Sequence, residues 1–181
     1  MIESRAAHRY ALALVGIAEE MKKVDEVSND FIFVEKLLQE SRDFRSFLKS
    51  PVVTNQKKRR VFEAVLSGNI GDLAWKFILL LTSKDREVLL PEIIRQFYKL
   101  RDERRGILHA VARTVVSLTE AQEGKLIGSI QELTKKKVQL TYERDPSLIG
   151  GFTVQYGDTV LDASVKRQLE LLQERFAEGS I

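Results

Sequence analysis

At Gly106 the spacing of apolar residues changes period, and that change constrains this chain more than any other feature. Upstream, apolar positions recur at intervals of three and four, as in Val24, Val27, Phe31, Val34 and Leu38, which lines up one face of a helix. Downstream, Val138, Leu140 and Tyr142 alternate with Gln139, Thr141 and Glu143, the two-residue period of a strand. The expected architecture is therefore mainly helical with an α+β C-terminal part: residues 1–105 as a helical domain and 106–181 as a small βαββα domain. A chain of 181 residues with 44% hydrophobic content can fill one core or two small ones.

Six helices are expected before Gly106. Ser4 is a plausible N-cap for the first, in which Tyr10, Ala13, Leu14 and Ile17 form one stripe while Ala7, Ala11 and Val15 form another. Such a helix needs cover on several sides. The second carries the Val24–Leu38 stripe. Ser41 is positioned to cap a short third helix holding Phe44, Phe47 and Leu48, ended by Ser50-Pro51 because the residue before proline avoids helical geometry. Thr54 starts a fourth with Val61, Phe62, Val65 and Leu66, stopped at Gly68. Asp72 opens a fifth whose run Phe77-Ile78-Leu79-Leu80-Leu81 makes it apolar almost all round, a second helix requiring cover on every side. Lys84-Asp85-Arg86 breaks the chain; Leu89, Ile93, Phe97 and Leu100 stripe the sixth helix, with Pro91 tolerable in its first turn.

Residues 107–117 are β-branched and apolar, which predicts a strand buried on both faces, with His109 a simple sheet residue. Thr119 and Gln122 fit a capping box for a helix holding Leu126, Ile127, Ile130 and Leu133. Lys135-Lys136-Lys137 is read as helix-end chemistry, cations at the negative end of the dipole. In the last strand Phe152, Val154 and Tyr156 share an apolar face. Gly150 and Gly151 suit a bulge or the close approach of a neighbouring element, and Gly157-Asp158 supplies a turn. Asp162 is the expected cap of a final helix with the stripe Val165, Leu169, Leu172 and Phe176, stopped by Gly179, so that two helices cover the sheet.

Composition excludes much chemistry. With no cysteine there is no disulfide, thiolate metal site or cysteine nucleophile, and the two histidines, His8 and His109, lie too far apart in sequence for a zinc-binding spacing. No catalytic, cofactor-binding or metal-ligating residue is assigned. Apolar runs fall far short of the roughly 20 residues of a membrane span, and Glu3, Arg5 and Arg9 interrupt any signal-peptide pattern, so a soluble intracellular chain is expected. The net charge of +3 arises from 29 basic and 26 acidic residues, a balance unlike the basic footprint of a nucleic-acid binder.

The run Asp145-Pro146-Ser147-Leu148-Ile149-Gly150-Gly151, followed by Gly157-Asp158, Asp162, Ser164-Val165 and Leu169, closely resembles the C-terminal signature of the delta subunit of bacterial F-type ATP synthase, counterpart of the mitochondrial oligomycin-sensitivity-conferring protein. Arg9-Tyr10-Ala11, Phe47-Leu48 with Pro51, and Leu90-Pro91 with Ile93 and Phe97 extend the likeness along the chain. Residues 24–40 agree only in hydrophobic pattern, and Thr134 stands where the family often has glycine. The resemblance implies a six-helix N-terminal bundle on the catalytic head and a non-catalytic stator role. An N-terminal helix of an alpha subunit would lie in a groove between helices one and five, at Tyr10, Ala13, Leu14, Ile17, Ile78 and Leu79. The C-terminal part would hold the end of the peripheral stalk b subunit. It further implies no cofactor, no nucleic acid, and a place at the cytoplasmic face of a bacterial cell membrane through the complex alone.

Two rival readings remain. Gly150, Gly151 and Gly157 could serve a phosphate-binding enzyme, but neither GxxxxGK[ST] nor GxGxxG is present. Lys57-Lys58-Arg59-Arg60 and residues 135–137 could serve a nucleic-acid-binding or other helical adaptor. Four consecutive basic residues on a helix fan through about 300 degrees, however, and no stacking aromatics are interleaved, so a solvated surface is the expectation.

Overall fold

The computed structural model describes residues 2–50, 53–177 and 179, and the chain divides into two compact units, Met1–Asp102 and Glu103–Ile181. The first is built from α1 (Ile2–Glu20), α2 (Val24–Glu40), α3 (Arg42–Lys49), α4 (Asn55–Leu66), α5 (Asp72–Ser83) and α6 (Leu90–Arg104). The stripes point inward as their spacing requires: Val27, Phe31, Val34 and Leu38 of α2 and Ile93, Phe97 and Leu100 of α6 are buried in one core. Phe31 and Phe97 meet edge to face with centroids 5.1 Å apart, and Phe62 takes Phe44 and Phe47 at 6.1 and 5.5 Å. Edge-to-face pairs add about 0.5–1.5 kcal/mol each beyond the area they bury.

Local signals hold where they bond the backbone. Ser41 accepts from the Phe44 amide at 3.1 Å and caps α3. Asp85 takes a positive φ of 54° in the break before α6, and Pro91 is the second residue of that helix, where its missing amide leaves no bond unmade. Ser4 is no cap: α1 begins at Ile2, because serine inside a helix costs little and does not stop one that runs through favourable residues. Thr54 occupies the N-cap position of α4 without a side-chain bond. The stop expected at Pro51 lies outside the described residues.

The basic run on α4 is only partly solvated. Lys57, Arg59 and Arg60 are exposed, but Lys58 is buried and donates its ammonium to the buried Glu87 in the 3-10 turn before α6. Helical geometry sends one of any four consecutive residues inward, and here that residue reaches a carboxylate. Removing either partner would strand the other charge in a low-dielectric site.

The second unit runs β1 (Ile107–Thr114), α7 (Glu120–Thr134), β2 (Lys137–Arg144), β3 (Phe152–Tyr156), β4 (Thr159–Asp162) and α8 (Val165–Ala177). The sheet order is β2-β1-β3-β4. β1 and β2 are parallel, which needs the crossover that α7 supplies, and β3 is antiparallel to both β1 and β4. The capping box is present: the Thr119 amide donates to Gln122 Oε1 at 2.9 Å while the Gln122 amide donates to Thr119 Oγ1 at 3.4 Å. Lys135 is the left-handed C-cap of α7 and Lys137 begins β2, so the three lysines follow the helix and none lies in its last turn.

Three further expectations are corrected. The arrangement is βαβββα: Gly157-Asp158 closes a hairpin whose second arm, Thr159–Asp162, is wholly exposed, so it has no buried face to mark it in sequence. β1 is buried on one face only. Ala110, Ala112 and Thr114 point to the core, whereas His109 and Arg113 lie on the opposite face, where Arg113 pairs with Glu143 at 2.9 Å and donates to Gln155 at 3.2 Å. Among the described residues only α7 covers the sheet, through Leu126 and Ile130 against Ala110, Ala112, Val138 and Val154, and no described residue of α8 joins that core.

Candidate functional site

Each unit leaves an apolar surface without cover. In the first it lies along α1 and α5. The buried line of α1 is Ala7, Ala11, Leu14, Val15 and Ala18. Beside it on the same helix run Tyr10, half-buried, and Ala13 and Ile17, exposed, with no atom within 4 Å of a Cβ placed on Gly16. The Tyr10 ring meets Phe77 of α5 edge to face at 6.4 Å. On α5 the helical period sets Leu80, 47% exposed, and the half-buried Leu73 on the same flank as Phe77.

The six residues expected to line this groove therefore separate. Tyr10, Ala13 and Ile17 share one flank of α1. Leu14 and Ile78 are 1% and 0% exposed and belong to the core. Leu79 lies on the other flank of α5, lining a hollow of about 310 Å³ with Asn55, Gln56 and Arg59 of α4. Leu80, and not Leu79, shares the Phe77 flank. The uninterrupted run Phe77–Leu81 carries no polar residue to fix which flank each leucine takes, so the sequence signal there is silent.

The N-terminus of α5 is held by acids from α2. Its N-cap is Gly71, which has no side chain to offer, and a Cβ there would stand 2.4 Å from Glu26 Oε1 and 3.0 Å from Asp30 Oδ2. Burial pushes the Asp30 carboxyl above its usual range, opposed by a hydrogen bond to the Gly71 backbone. Asp30 Oδ2 has no hydrogen-bond partner.

In the second unit the signature residues form a clamp. Asp145 accepts from the Ser147 amide at 2.9 Å and the Ser147 hydroxyl at 2.6 Å, and these bonds hold its carboxyl below the usual range. Gly151 has φ +76°, and a Cβ on it would lie 2.3 Å from the Ala163 carbonyl oxygen; one on Gly150 would lie 2.9 Å from Val165 Cγ2. The Ala163 amide donates to Phe152 and the Val165 amide to Gly150, both at 2.9 Å. The two glycines thus let the start of α8 press against β3. Ser164, not Asp162, caps α8 by accepting from the Arg167 amide at 3.1 Å; Asp162 acts one step earlier, accepting from the Ser164 amide at 2.9 Å. Asp158 sits with Gly157 in the hairpin turn.

Beyond the clamp, Val165, Leu169, Leu172 and Phe176 are 37%, 47%, 47% and 70% exposed, an apolar stripe that touches no core. A separate hollow of about 340 Å³ between α7 and the β3–β4 hairpin is lined by Leu118, Leu126, Ile130, Leu133, Phe152 and Leu161. Among the described residues no group of three or more His, Asp or Glu could hold a metal, and no helix is long and apolar enough to cross a membrane.

Comparison with known proteins gives this geometry a family. The family model described as ATP synthase delta (OSCP) subunit matches residues 6–176. ATP synthase subunit delta of Chlorobium phaeobacteroides is 40% identical over 178 residues, covering 98% of this chain and 99% of that protein; that of Chloroherpeton thalassium is 35% identical, covering 98% and 97%. A chain in the Toxoplasma gondii mitochondrial ATP synthase hexamer shares the fold, with a TM-score of 0.67 at 24% identity over 94% of this chain and 97% of that one. With a family model spanning nearly its whole length and relatives of matching length, this chain belongs to the ATP synthase delta (OSCP) subunit family.

Proposed function

We propose that the chain is a non-catalytic stator subunit of an F-type ATP synthase, joining the alpha/beta catalytic head to the b subunit of the peripheral stalk. The observation that carries this reading is that each of the two units leaves apolar surface unpartnered among its described residues, as a molecule gripping two other polypeptides requires. An N-terminal helix of alpha docks between α1 and α5, against Tyr10, Ala13 and Ile17 on one side and Phe77 and Leu80 on the other; Ala13 and Gly16 let its backbone come close. The C-terminal end of b docks on the second unit. The head is thereby kept from turning with the rotor, and torque is spent on changing its nucleotide sites. The chain makes and breaks no bond itself, and it meets the cytoplasmic face of the membrane only through the complex.

Co-purification with an alpha N-terminal peptide and a soluble b fragment tests this. A ternary complex is expected, from which Ala13→Asp loses only alpha and Leu172→Asp loses only b. Failure of the wild-type chain to hold both would overturn the reading.

A further inference from the structure

Asp30 of α2 is only 8% exposed, and its Oδ2 has no hydrogen-bond partner. Glu26 stands four residues before it, so both carboxyls lie on one face of α2. Both are aimed at a single backbone point, the Gly71 N-cap of α5, where a Cβ would come within 3.0 Å of Glu26 Oε1 and of Asp30 Oδ2. The charged groups bearing on Asp30 are Glu26, which opposes its ionisation, and Lys23, which favours it. Lys23 is already engaged, its ammonium 3.0 Å from Glu26 Oε1. From α5 the Gly71 amide faces Asp30, while the first carboxylate of that helix, Asp72, is turned to Lys76 at 2.6 Å.

As a carboxylate, Asp30 keeps an orphaned acceptor oxygen out of water and beside a second negative charge. As a carboxylic acid it turns that oxygen into a donor, and Glu26, converging on the same point, is the acceptor for it. We propose that Glu26 and Asp30 hold one proton between them at the N-terminus of α5, and that this proton ties α2 to α5. With the proton bound, an O–H···O bond joins the two side chains and α5 starts firmly at Gly71, whose carbonyl accepts the Trp75 amide at 3.0 Å. When the proton leaves to solvent, two like charges press on one backbone point and the first turn of α5 loosens. Burial raises the Asp30 pKa above its ordinary 3.8, so the tie is complete in acid and is lost as pH rises through the raised value. Because α5 carries Phe77 and Leu80, affinity for an alpha helix follows the proton; this last step rests on the docking proposed above.

Carboxyl-carbon NMR on the full chain reads the titration directly. Asp30 should titrate above 3.8, and Glu26→Gln, which takes away the neighbouring charge, should lower its midpoint. Over the same range the Trp75 amide, corrected for base catalysis, should lose protection from exchange in the wild type and keep it in Asp30→Asn, which has no proton to lose. An Asp30 midpoint at or below 3.8, or one that Glu26→Gln leaves in place, overturns the shared proton, and Trp75 protection that does not change with pH overturns the tie to α5. Wild-type affinity for an alpha N-terminal peptide, taken relative to that of Asp30→Asn, should fall at least about fivefold as pH rises through the midpoint. An unchanged ratio overturns the link to docking. If the wild type binds no peptide at any pH, the stator reading fails instead, and the NMR titration still decides the proton.

Discussion

The two units solve the same burial problem to different degrees. In the first, every helix contributes to one core and Phe31, Phe62 and Phe97 are wholly enclosed. In the second, one helix covers one face of a four-stranded sheet, the buried core is small, and α8 leaves all its large apolar side chains partly in water. The first unit can draw its stability from its own interior. The second holds its clamp by hydrogen bonds and glycine contacts and leaves apolar area for another chain. The difference teaches that exposed apolar surface has a different meaning in each: a narrow flank beside a complete core in one, most of a helix in the other.

Removing a buried partner should break the comparison most strongly. Lys58→Met leaves the Glu87 carboxylate buried and unmatched, so a loss of about 3–5 kcal/mol is expected in urea unfolding, and pairing it with Glu87→Leu should recover most of that loss. Trp75, the sole tryptophan, lies on α5, so its fluorescence reports this unit by itself. If the double variant is no more stable than the single one, the ion pair is not the reason for the loss.

Gly151→Ala acts on the other unit. A left-handed backbone and a carbonyl oxygen 2.3 Å from the new Cβ should together destabilise it by about 2–3 kcal/mol, seen as lost amide protection in β3 and β4 with the Trp75 transition unmoved. A Trp75 transition that shifts as well would mean the units do not unfold separately.

A smaller effect, opposite in sign, is expected at Asp30. Its folded pKa is raised, so the native state binds protons more tightly than the unfolded chain, and the unit loses stability as pH rises from the unfolded value of 3.8 through the raised one. Asp30→Asn keeps an acceptor for Gly71 without the buried charge. It should therefore raise stability at pH 7, and the advantage should vanish below pH 3.8, where the wild-type carboxyl is neutral too. An advantage that persists in acid would assign the effect to packing. The clamp carboxyls Asp145 and Asp162 are depressed, so their contribution runs the other way and is lost as pH falls below the ordinary carboxylate range.

The smallest expected change is Leu169→Ser with Leu172→Ser. Both positions are 47% exposed, so stability should move by less than about 0.5 kcal/mol per site while binding to the b fragment is lost. Loss of stability would show that α8 supports its own unit.

What the sequence determined by itself was whatever periodicity and short-range bonding control: the α2 and α6 stripes, the Ser41 cap, the Thr119–Gln122 box, the Pro91 position and the close packing at Gly150 and Gly151. The stripes, caps and proline position depend on neighbours within a few residues, where spacing and geometry are fixed together, and the two glycines could be read because a missing side chain itself marks a close approach. Only the tertiary structure decided that Lys58 would meet Glu87, that Leu80 and not Leu79 would share a flank with Phe77, that a fourth strand would form from Thr159–Asp162, and that α8 would stand off the sheet. The ion pair, the leucine flank and the place of α8 turn on which of several equally apolar or equally charged residues finds a partner far away in sequence, a distance no local pattern contains, and the fourth strand went unread because all four of its residues are exposed.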